Sequence, residues 1–176
     1  VALVTWASYV FLYTPLKRRT SLATIVWAFP GALPPVIGWA AVTGDVTLLP
    51  LLMFALIFFW TPPHFWALAL FMKSDYGAAG IPMLPNVAGQ RVTRTQIFGY
   101  SFVLAIVALA PWALGMTGML YGATAVILNL LFLALAFAVW RSETTEAAAM
   151  KAEKRLFAFS ILYLFIAFAA LALDRM

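Results

Sequence analysis

FFWTPPHFWALALFMKSDYGAAGIPMLP, residues 58–85, joins a long apolar run to a polar loop and carries two ionisable groups of special interest. His64 lies inside the apolar run, and Asp75 follows eleven residues later, just past Lys73. At about 100° per residue, eleven helical steps bring the two side chains within roughly 20° of each other. If the helix continued that far, His64 would lie about 16 Å deeper than Asp75. The spacing predicts a site with a charged mouth and an imidazole further in.

Both groups also have an ordinary structural interpretation. A kinked spanning helix can hold His64 in a hydrogen bond to a neighbour and leave Asp75 solvated. Ionisable groups at membrane depth are costly and usually functional, which favours a functional role for His64. A membrane interface tolerates charge, so position alone does not decide between the two interpretations of Asp75.

The composition excludes a soluble domain. Hydrophobic residues make up 65% of the 176 positions and charged residues 10%, whereas about a quarter of a soluble protein is charged. The apolar runs are continuous and long enough to cross a hydrocarbon layer of roughly 30 Å as helices. We predict an all-α, polytopic transmembrane bundle of about five complete spanning helices and part of a sixth. The absence of cysteine excludes disulfides, thiolate metal sites and a cysteine nucleophile.

The predicted helices form a single transmembrane domain over residues 1–176. The spans are expected near residues 1–13 (partial), 21–42, 47–72, 96–114, 119–140 and 156–173. Only about a dozen apolar residues precede Lys17, which is too few to cross a bilayer. No basic region precedes them and no cleavage site follows, which excludes a signal peptide. We therefore expect an N-terminally truncated chain that opens in the second half of a helix.

Prolines interrupt two of these spans. The first complete span contains Pro30, Pro34 and Pro35, together with Gly31. The next span contains Pro62 and Pro63. Proline lacks a backbone donor and clashes with the preceding turn, so we expect bent or partly unwound helices.

Two other segments receive structural interpretations. Arg141–Arg155 has mixed charge and helix-forming composition, which predicts a surface helix or a polar extension of its neighbours, with its charges solvated. Gly118 and Gly122 form a small-xxx-small pair that predicts close helix packing.

Basic residues concentrate on one side of the predicted bundle. They are Lys17, Arg18, Arg19, Lys73, Arg91, Arg94, Arg141, Lys151, Lys154 and Arg155, against Arg175 alone on the other side. The positive-inside rule predicts a multi-pass protein of the cell inner (plasma) membrane with these loops in the cytoplasm, or in the matrix of an organelle. Topology alone would produce such a bias. The run of three consecutive bases beside a proline-broken helix favours a polyanion site in addition.

A diphosphate would bind at such a polyanion site. Lysine and arginine bind phosphate through charge-assisted hydrogen bonds, and Mg²⁺ commonly bridges one or two carboxylates to substrate phosphates. The predicted diphosphate-binding residues are Lys17, Arg18, Arg19, Lys73, Arg91 and Arg94. The apolar helix faces below can house a hydrocarbon tail, and no nucleic-acid partner is expected despite the net charge of +5.

Four segments together resemble a known family. They are YTPLKRRTS (13–21), PGALPPVIGWAAVTGD (30–45), WTPPHFWALAL (60–70) and DYGAAGIPMLPNVAG (75–89), with LFAFSILYLF (156–165) also similar. In order and spacing they resemble the protohaem IX farnesyltransferase (haem O synthase) family, a branch of the UbiA superfamily of membrane prenyltransferases. The resemblance implies a nine-helix bundle, of which this chain would hold the last five helices and part of the fourth.

The resemblance also implies an activity. The family transfers a farnesyl group from farnesyl diphosphate to a vinyl group of haem B, which gives haem O and diphosphate. Its acid-rich first motif would lie upstream of Val1, and its second acidic site maps to Asp75. Sister families that make quinones repeat an aspartate four residues on, where this chain has Ala79.

By the resemblance, the catalytic residues are Asp75, Lys17 and Arg18, which would stabilise the departing diphosphate. Asp75 would ligate the cofactor Mg²⁺, whereas haem B is a substrate. His64 would ligate or orient the haem, with a structural hydrogen bond as the alternative. The implied partners are farnesyl diphosphate, haem B, the lipid bilayer, and haem A synthase or the machinery that assembles the terminal oxidase.

Two other functions stay open at this point. A quinone-type aromatic prenyltransferase would share the diphosphate mouth, but Ala79 and the intramembrane His64 disfavour it. A transporter would also use broken helices and polar residues at the midplane, but it should show repeat symmetry, which this sequence does not.

Overall fold

The computed structural model describes residues 2–16, 20 and 23–174. Within these residues the chain is helical and contains no strand, which confirms the all-α fold class. The helices are α1 (Ala2–Ala7), a π-helical segment (Ser8–Tyr13), α2 (Thr14–Leu16), α3 (Ala23–Ala32), α4 (Pro34–Thr43), α5 (Leu48–Phe71), α6 (Lys73–Ala78), α7 (Leu84–Val87), α8 (Gln90–Ala113), α9 (Met119–Arg141) and α10 (Lys151–Leu173), with a 3-10 turn at Ala147–Ala149.

Five segments of the described chain are long and apolar enough to cross a membrane. They are Thr24–Thr43, Leu48–Phe71, Gln90–Ala113, Met119–Arg141 and Lys151–Leu173. The protein is therefore a multi-pass membrane protein, and the predicted polytopic helix bundle is confirmed.

The prolines act differently in the two spans that contain them. As predicted, the first span is interrupted: α3 ends at Ala32 and α4 begins at Pro34, with Leu33 between them. Helix α5 instead continues through Pro62 and Pro63, which deprive the carbonyl groups one turn earlier of their donors.

Two polar segments differ from their predicted form. Helix α8 begins at Gln90, ahead of the predicted start near Gln96, because Gly89 adopts φ 86°, which favours glycine, and ends the loop there. Residues 142–146 are not helical, whereas Lys151–Arg155 begins α10. Only the second part of Arg141–Arg155 is therefore the polar extension of a neighbouring helix.

Helix α5 is central to the bundle. It packs against α3, α4, α8 and α10, while α9 packs against α8 and α10. The fully buried side chains at these contacts include Leu70, Ile97, Leu104, Phe132 and Leu156. Lipid tails are as apolar as leucine, so close packing and hydrogen bonds between helices stabilise such a bundle.

Buried polar groups connect α8, α9 and α10. The Tyr163 hydroxyl donates to Asn129 Oδ1 at 2.8 Å, and Asn129 Nδ2 donates to the Ala105 carbonyl at 3.4 Å. The glycine pair also lies at close contacts: a Cβ on Gly122 would lie 2.6 Å from the Trp112 ring, and Gly118 donates its N–H to the Asp174 carboxylate. These contacts agree with the predicted packing role of the pair.

The described basic loops meet at one end of the bundle, which we call the basic end. It comprises the C-terminal ends of α5 and α9, helices α6 and α7, and the N-terminal ends of α8 and α10. Arg91 Nη1 donates to the Trp140 carbonyl at 2.6 Å, which joins α8 to α9. Lys154 Nζ lies 5.9 Å from the centre of the Phe71 ring, which joins α10 to α5.

Candidate functional site

His64 lies in the contact between α5 and α10, and 8% of its surface is exposed. Its ring is stacked between two aromatic side chains. The Trp60 ring centre is 4.3 Å away at an interplanar angle of 17°, and the Phe157 ring centre is 4.6 Å away at 23°. Trp60 and His64 are four residues apart on α5, so they share a face of the helix.

Ser160 completes this arrangement, which we call the His64 cluster: Trp60, His64, Phe157 and Ser160. Ser160 Oγ is 2.6 Å from His64 Nδ1, and the Ser160 carbonyl accepts a hydrogen bond from Trp60 Nε1 at 2.8 Å. The structural hydrogen bond considered for His64 is therefore present. Sequence reasoning did not single out Ser160, although a lone serine inside the apolar run LFAFSILYLF is a signal for an interhelical hydrogen bond.

An apolar groove lies beside the His64 cluster. It has a volume of about 390 Å³ and is lined by Ile57, Trp60, Ile161, Leu164, Phe165 and Phe168. Trp60 belongs to both features, so one face of its ring stacks on the imidazole while the residue also contributes to the groove.

The helix does not continue from His64 to Asp75. Helix α5 ends at Phe71, Met72 adopts φ −106° and ψ 21°, and α6 starts at Lys73. The expectation that His64 and Asp75 share one face required an unbroken helix, and it is wrong for that reason. Seven helical steps separate His64 from Phe71, so the imidazole lies about 10 Å along α5 from the end of the helix.

Residues 73–89, which we call the Asp75 loop, have a defined shape. Gly80, at φ 66°, ends α6 with two hydrogen bonds: Ile81 N–H to the Tyr76 carbonyl at 3.0 Å and Gly80 N–H to the Gly77 carbonyl at 3.1 Å. This pair is the pattern of a Schellman motif, in which glycine takes the left-handed position. The glycines of the DYGAAG segment thus close α6 and fix the backbone next to Asp75.

Asn86 connects the two short helices of the Asp75 loop. Its Nδ2 donates to the Lys73 carbonyl at 3.2 Å, and a Cβ on Gly77 would lie 3.1 Å from the same nitrogen. Sequence reasoning did not identify Asn86. Its place in a Pro-Asn turn segment is typical of a residue that hydrogen-bonds a nearby backbone.

The Asp75 side chain is exposed at the basic end. Its described contact is a long hydrogen bond, 3.4 Å, from the Ser74 hydroxyl to Oδ1. Lys73 and Tyr76 on either side are half-buried, and burial raises the pKa of the Tyr76 phenol, which keeps it protonated as a donor. Among the described residues, no three histidine, cysteine, aspartate or glutamate side chains form a cluster that could bind a metal ion.

Two arginines of the predicted diphosphate site, Arg91 and Arg94, lie among the described residues and have different surroundings. Arg91 is exposed and lies over the Trp140 ring, 5.1 Å from its centre. Arg94 is 3% exposed, and its Nε and Nη2 donate to Glu153 Oε1 at 2.9 and 2.7 Å. Nη2 also donates to the Thr144 carbonyl at 2.6 Å. Arg94 is therefore engaged in a buried ion pair and not exposed at a mouth.

Glu153 corrects the expectation that the acids of Arg141–Arg155 are solvated. It is fully buried and pairs with Arg94 across α8 and α10. The sequence did contain a signal: Glu153 precedes Leu156 by three residues and Ser160 by seven, which places it on the buried stripe of α10.

The basic run at Lys17, Arg18 and Arg19 lies outside the described residues. Its predicted role in diphosphate binding stays a prediction, and so do the roles of Lys73, Asp75 and Arg91. The structure places Lys73 and Asp75 on α6 and Arg91 at the start of α8, all three at the basic end.

Comparisons with known proteins identify relatives along almost the whole chain. The model of the UbiA prenyltransferase family matches residues 1–162. A protoheme IX farnesyltransferase of Rhizorhabdus wittichii is 56% identical over 168 residues, which cover 95% of this chain and 56% of the relative. The proteins of the same name from Erythrobacter litoralis and Novosphingobium aromaticivorans are 55% and 50% identical over 168 and 169 residues, which cover 95% and 96% of this chain.

The chain thus spans slightly more than half the length of these curated relatives: 55% of the Erythrobacter protein and 56% of the Novosphingobium protein. No solved structure gives a significant match. The family resemblance of the sequence is confirmed by a model match that covers most of the chain. The chain belongs to the UbiA prenyltransferase family.

Proposed function

We propose that this chain is part of an enzyme that transfers a farnesyl group from farnesyl diphosphate to a vinyl group of haem B, giving haem O and diphosphate. One observation carries the proposal: a buried imidazole on α5 is followed, about 10 Å further along the helix, by an open acidic and basic loop. The names of the relatives, all protoheme IX farnesyltransferases, support the same substrates.

The Asp75 loop would bind the diphosphate. We propose that Lys73 and Arg91, together with Lys17, Arg18 and Arg19, donate charge-assisted hydrogen bonds to its oxygens. These bonds would strengthen as the carbon–oxygen bond breaks and the diphosphate leaves with the electron pair. Arg94 was predicted to join this set, but its ion pair with Glu153 supports a role in fixing the loop before α10 instead.

Mg²⁺ fits this site as a cofactor that arrives with the substrate. Magnesium is commonly bound by one or two protein carboxylates plus substrate phosphates, so the single exposed carboxylate of Asp75 is an adequate protein ligand here. When bound, the ion would neutralise the diphosphate charge and so improve the leaving group. On α6, the Asp75 carboxylate and the Ser74 hydroxyl beside it present oxygen atoms for this purpose.

The His64 cluster would contact haem B. A neutral imidazole is a common ligand of haem iron. The apolar groove beside Trp60 would accept hydrocarbon parts of a substrate. The vinyl group would attack the allylic cation, and water would add to the resulting cation with loss of a proton, which gives the hydroxyethylfarnesyl group.

We further propose that the protein lies in the inner (plasma) membrane with the basic end in the cytoplasm. The support is the charge bias: Lys73, Arg91, Arg141 and Lys151 all lie at that end of the described chain. Haem A synthase or the machinery that assembles the terminal oxidase would be the protein partners.

The test uses the full-length protein in membranes. Farnesyl diphosphate and Mg²⁺ are supplied with haem B or with 4-hydroxybenzoate as the acceptor, and products are separated by mass. Haem O from the first acceptor and no prenylated benzoate from the second is the expected result. Prenylation of the benzoate alone would overturn the proposal in favour of a quinone-type enzyme.

A further inference from the structure

Ser160 lies at the centre of the contact between α5 and α10. Its Oγ is 2.6 Å from His64 Nδ1 and 2.6 Å from the carbonyl oxygen of Phe157. The side chain is fully buried, at 0% exposure. The hydroxyl therefore has two polar neighbours at short distance and no access to bulk water.

The Ser160 hydroxyl carries one proton, so it can donate a hydrogen bond to only one of these two neighbours. A carbonyl oxygen accepts only, whereas a nitrogen of neutral imidazole either donates or accepts. If the hydroxyl pointed at His64 Nδ1, two oxygen atoms 2.6 Å apart would face each other with no proton between them. The hydroxyl consequently donates to the Phe157 carbonyl, and its lone pair accepts a hydrogen bond from His64 Nδ1–H.

We infer that Ser160 is a positioning residue: it selects the tautomer of His64 that carries its proton on Nδ1 and leaves the lone pair of Nε2 for the iron of haem B. This inference rests on the proposed function, in which the haem lies against His64. Histidines that bind metals typically donate their other ring N–H to a fixed acceptor, which sets the tautomer and the ring orientation. In the opposite tautomer Nε2 would carry a proton and could not ligate iron.

The same contact also fixes the plane of the ring. Trp60 and Phe157 cover its two faces, and Trp60 Nε1 donates to the carbonyl of Ser160 itself. Rotation of the imidazole would break both stacking contacts together with the Nδ1 hydrogen bond. Ser160 thus acts on His64 directly through its side chain and on the stacked Trp60 through its backbone.

The test is a haem B titration of the full-length protein in detergent, followed by absorbance, for wild type, Ser160→Ala, Ser160→Thr and His64→Ala. Ser101→Ala is the matched control: Ser101 is buried and donates to a carbonyl of its own helix, Ile97 at 2.7 Å, whereas the hydrogen bond of His64 Nδ1 is to Ser160. Farnesyl diphosphate binding is measured in parallel for every variant.

Ser160→Ala should weaken haem binding about tenfold or more, and its haem spectrum should shift towards that of His64→Ala. Ser160→Thr should return affinity to within about threefold of wild type, because a threonine hydroxyl in a helix can also bond the preceding turn. Farnesyl diphosphate binding should not change, and Ser101→Ala should match wild type.

Two results would overturn the inference in distinguishable ways. Wild-type haem affinity and spectrum in Ser160→Ala, with a clear loss in His64→Ala, would remove the role of Ser160 and leave the proposed function intact. No change in His64→Ala itself would remove the haem assignment of the proposed function, and the inference with it. If Ser160→Ala does not insert, the isosteric pair Ser160→Thr and Ser160→Val decides, because equal haem affinity and spectra in both would show that the hydroxyl is not needed.

Discussion

The His64 cluster and the Asp75 loop follow each other along the chain, yet they are built in opposite ways. The cluster is buried, and its hydrogen bond joins residues 96 positions apart. The loop is shaped by local bonds such as those at Gly80, and it leaves the Asp75 carboxylate exposed. Contacts between helices thus preform the imidazole site, whereas the loop presents a carboxylate whose partners would come with a substrate.

This difference matches the chemistry proposed for the two regions. A haem ligand has to be oriented before the haem arrives, because a misplaced or wrongly protonated nitrogen does not bind iron. A diphosphate brings its own charge and its magnesium ion, so a loop with an exposed carboxylate such as that of Asp75 can bind it without a preformed protein partner. Of the four predictions below, one tests the buried ion pair at the basic end, which belongs to neither region, and three test the comparison of the two regions.

The largest expected effect is on stability at the basic end, at the buried Arg94–Glu153 pair. Glu153→Gln removes the charge that balances Arg94, and loss of one partner from a buried pair costs about 3–5 kcal/mol. Thermal unfolding in detergent should show a clearly lowered midpoint. The control is Glu143→Gln, which removes the same charge from an exposed position. Equal unfolding midpoints for the two variants would contradict a stabilising, buried Arg94–Glu153 pair.

The second effect is on catalysis at the Asp75 loop. Asp75→Asn keeps the size of the side chain but removes the charge that Mg²⁺ requires, and about 3 kcal/mol of lost stabilisation slows turnover more than a hundredfold. Farnesyl transfer by the full-length protein is measured against magnesium concentration. Asp45→Asn, an equivalent change in the exposed turn between α4 and α5, is the control. A curve for Asp75→Asn that overlays wild type in midpoint and maximum contradicts the metal assignment.

A smaller effect tests whether the shape of the Asp75 loop matters. Gly80→Ala places a side chain at φ 66° and should cost about 1 kcal/mol, with a rise of a few-fold in the KM for farnesyl diphosphate. Gly99→Ala on α8, where a Cβ meets no atom within 4 Å, is the matched control. An unchanged KM in Gly80→Ala would show that the local bonds of the loop do not position the diphosphate ligands.

Much of the bundle could be predicted from the sequence, because apolar runs of membrane length have few alternatives to helices. The contacts of the site could not. Pairing of Trp60 and His64 with Ser160 depends on how α5 and α10 cross, and no local pattern specifies that crossing. The end of the span near Met72 could be predicted, because Lys73, Ser74 and Asp75 follow the apolar run directly. The shared face of His64 and Asp75 failed because it required the helix to continue beyond that end.

Arg94 shows the limit of reasoning from charge alone. In the sequence it resembles any other basic residue that contributes to a positive-inside bias. In the structure its position on the buried stripe of α8 brings it to Glu153 on α10. Helical periodicity applied to both charges, and not only to the apolar residues, would have indicated the pair.

The most direct test of the account is to measure the two substrates separately in His64→Ala of the full-length protein. The account places His64 with the haem and about 10 Å along α5 from the Asp75 loop. It predicts a loss of about tenfold or more in haem-dependent turnover, corresponding to about 1.4 kcal/mol, with an unchanged KM for farnesyl diphosphate at normal membrane abundance. Equal losses for both substrates, or an effect on farnesyl diphosphate alone, would contradict the division of the site into a haem region and a diphosphate region.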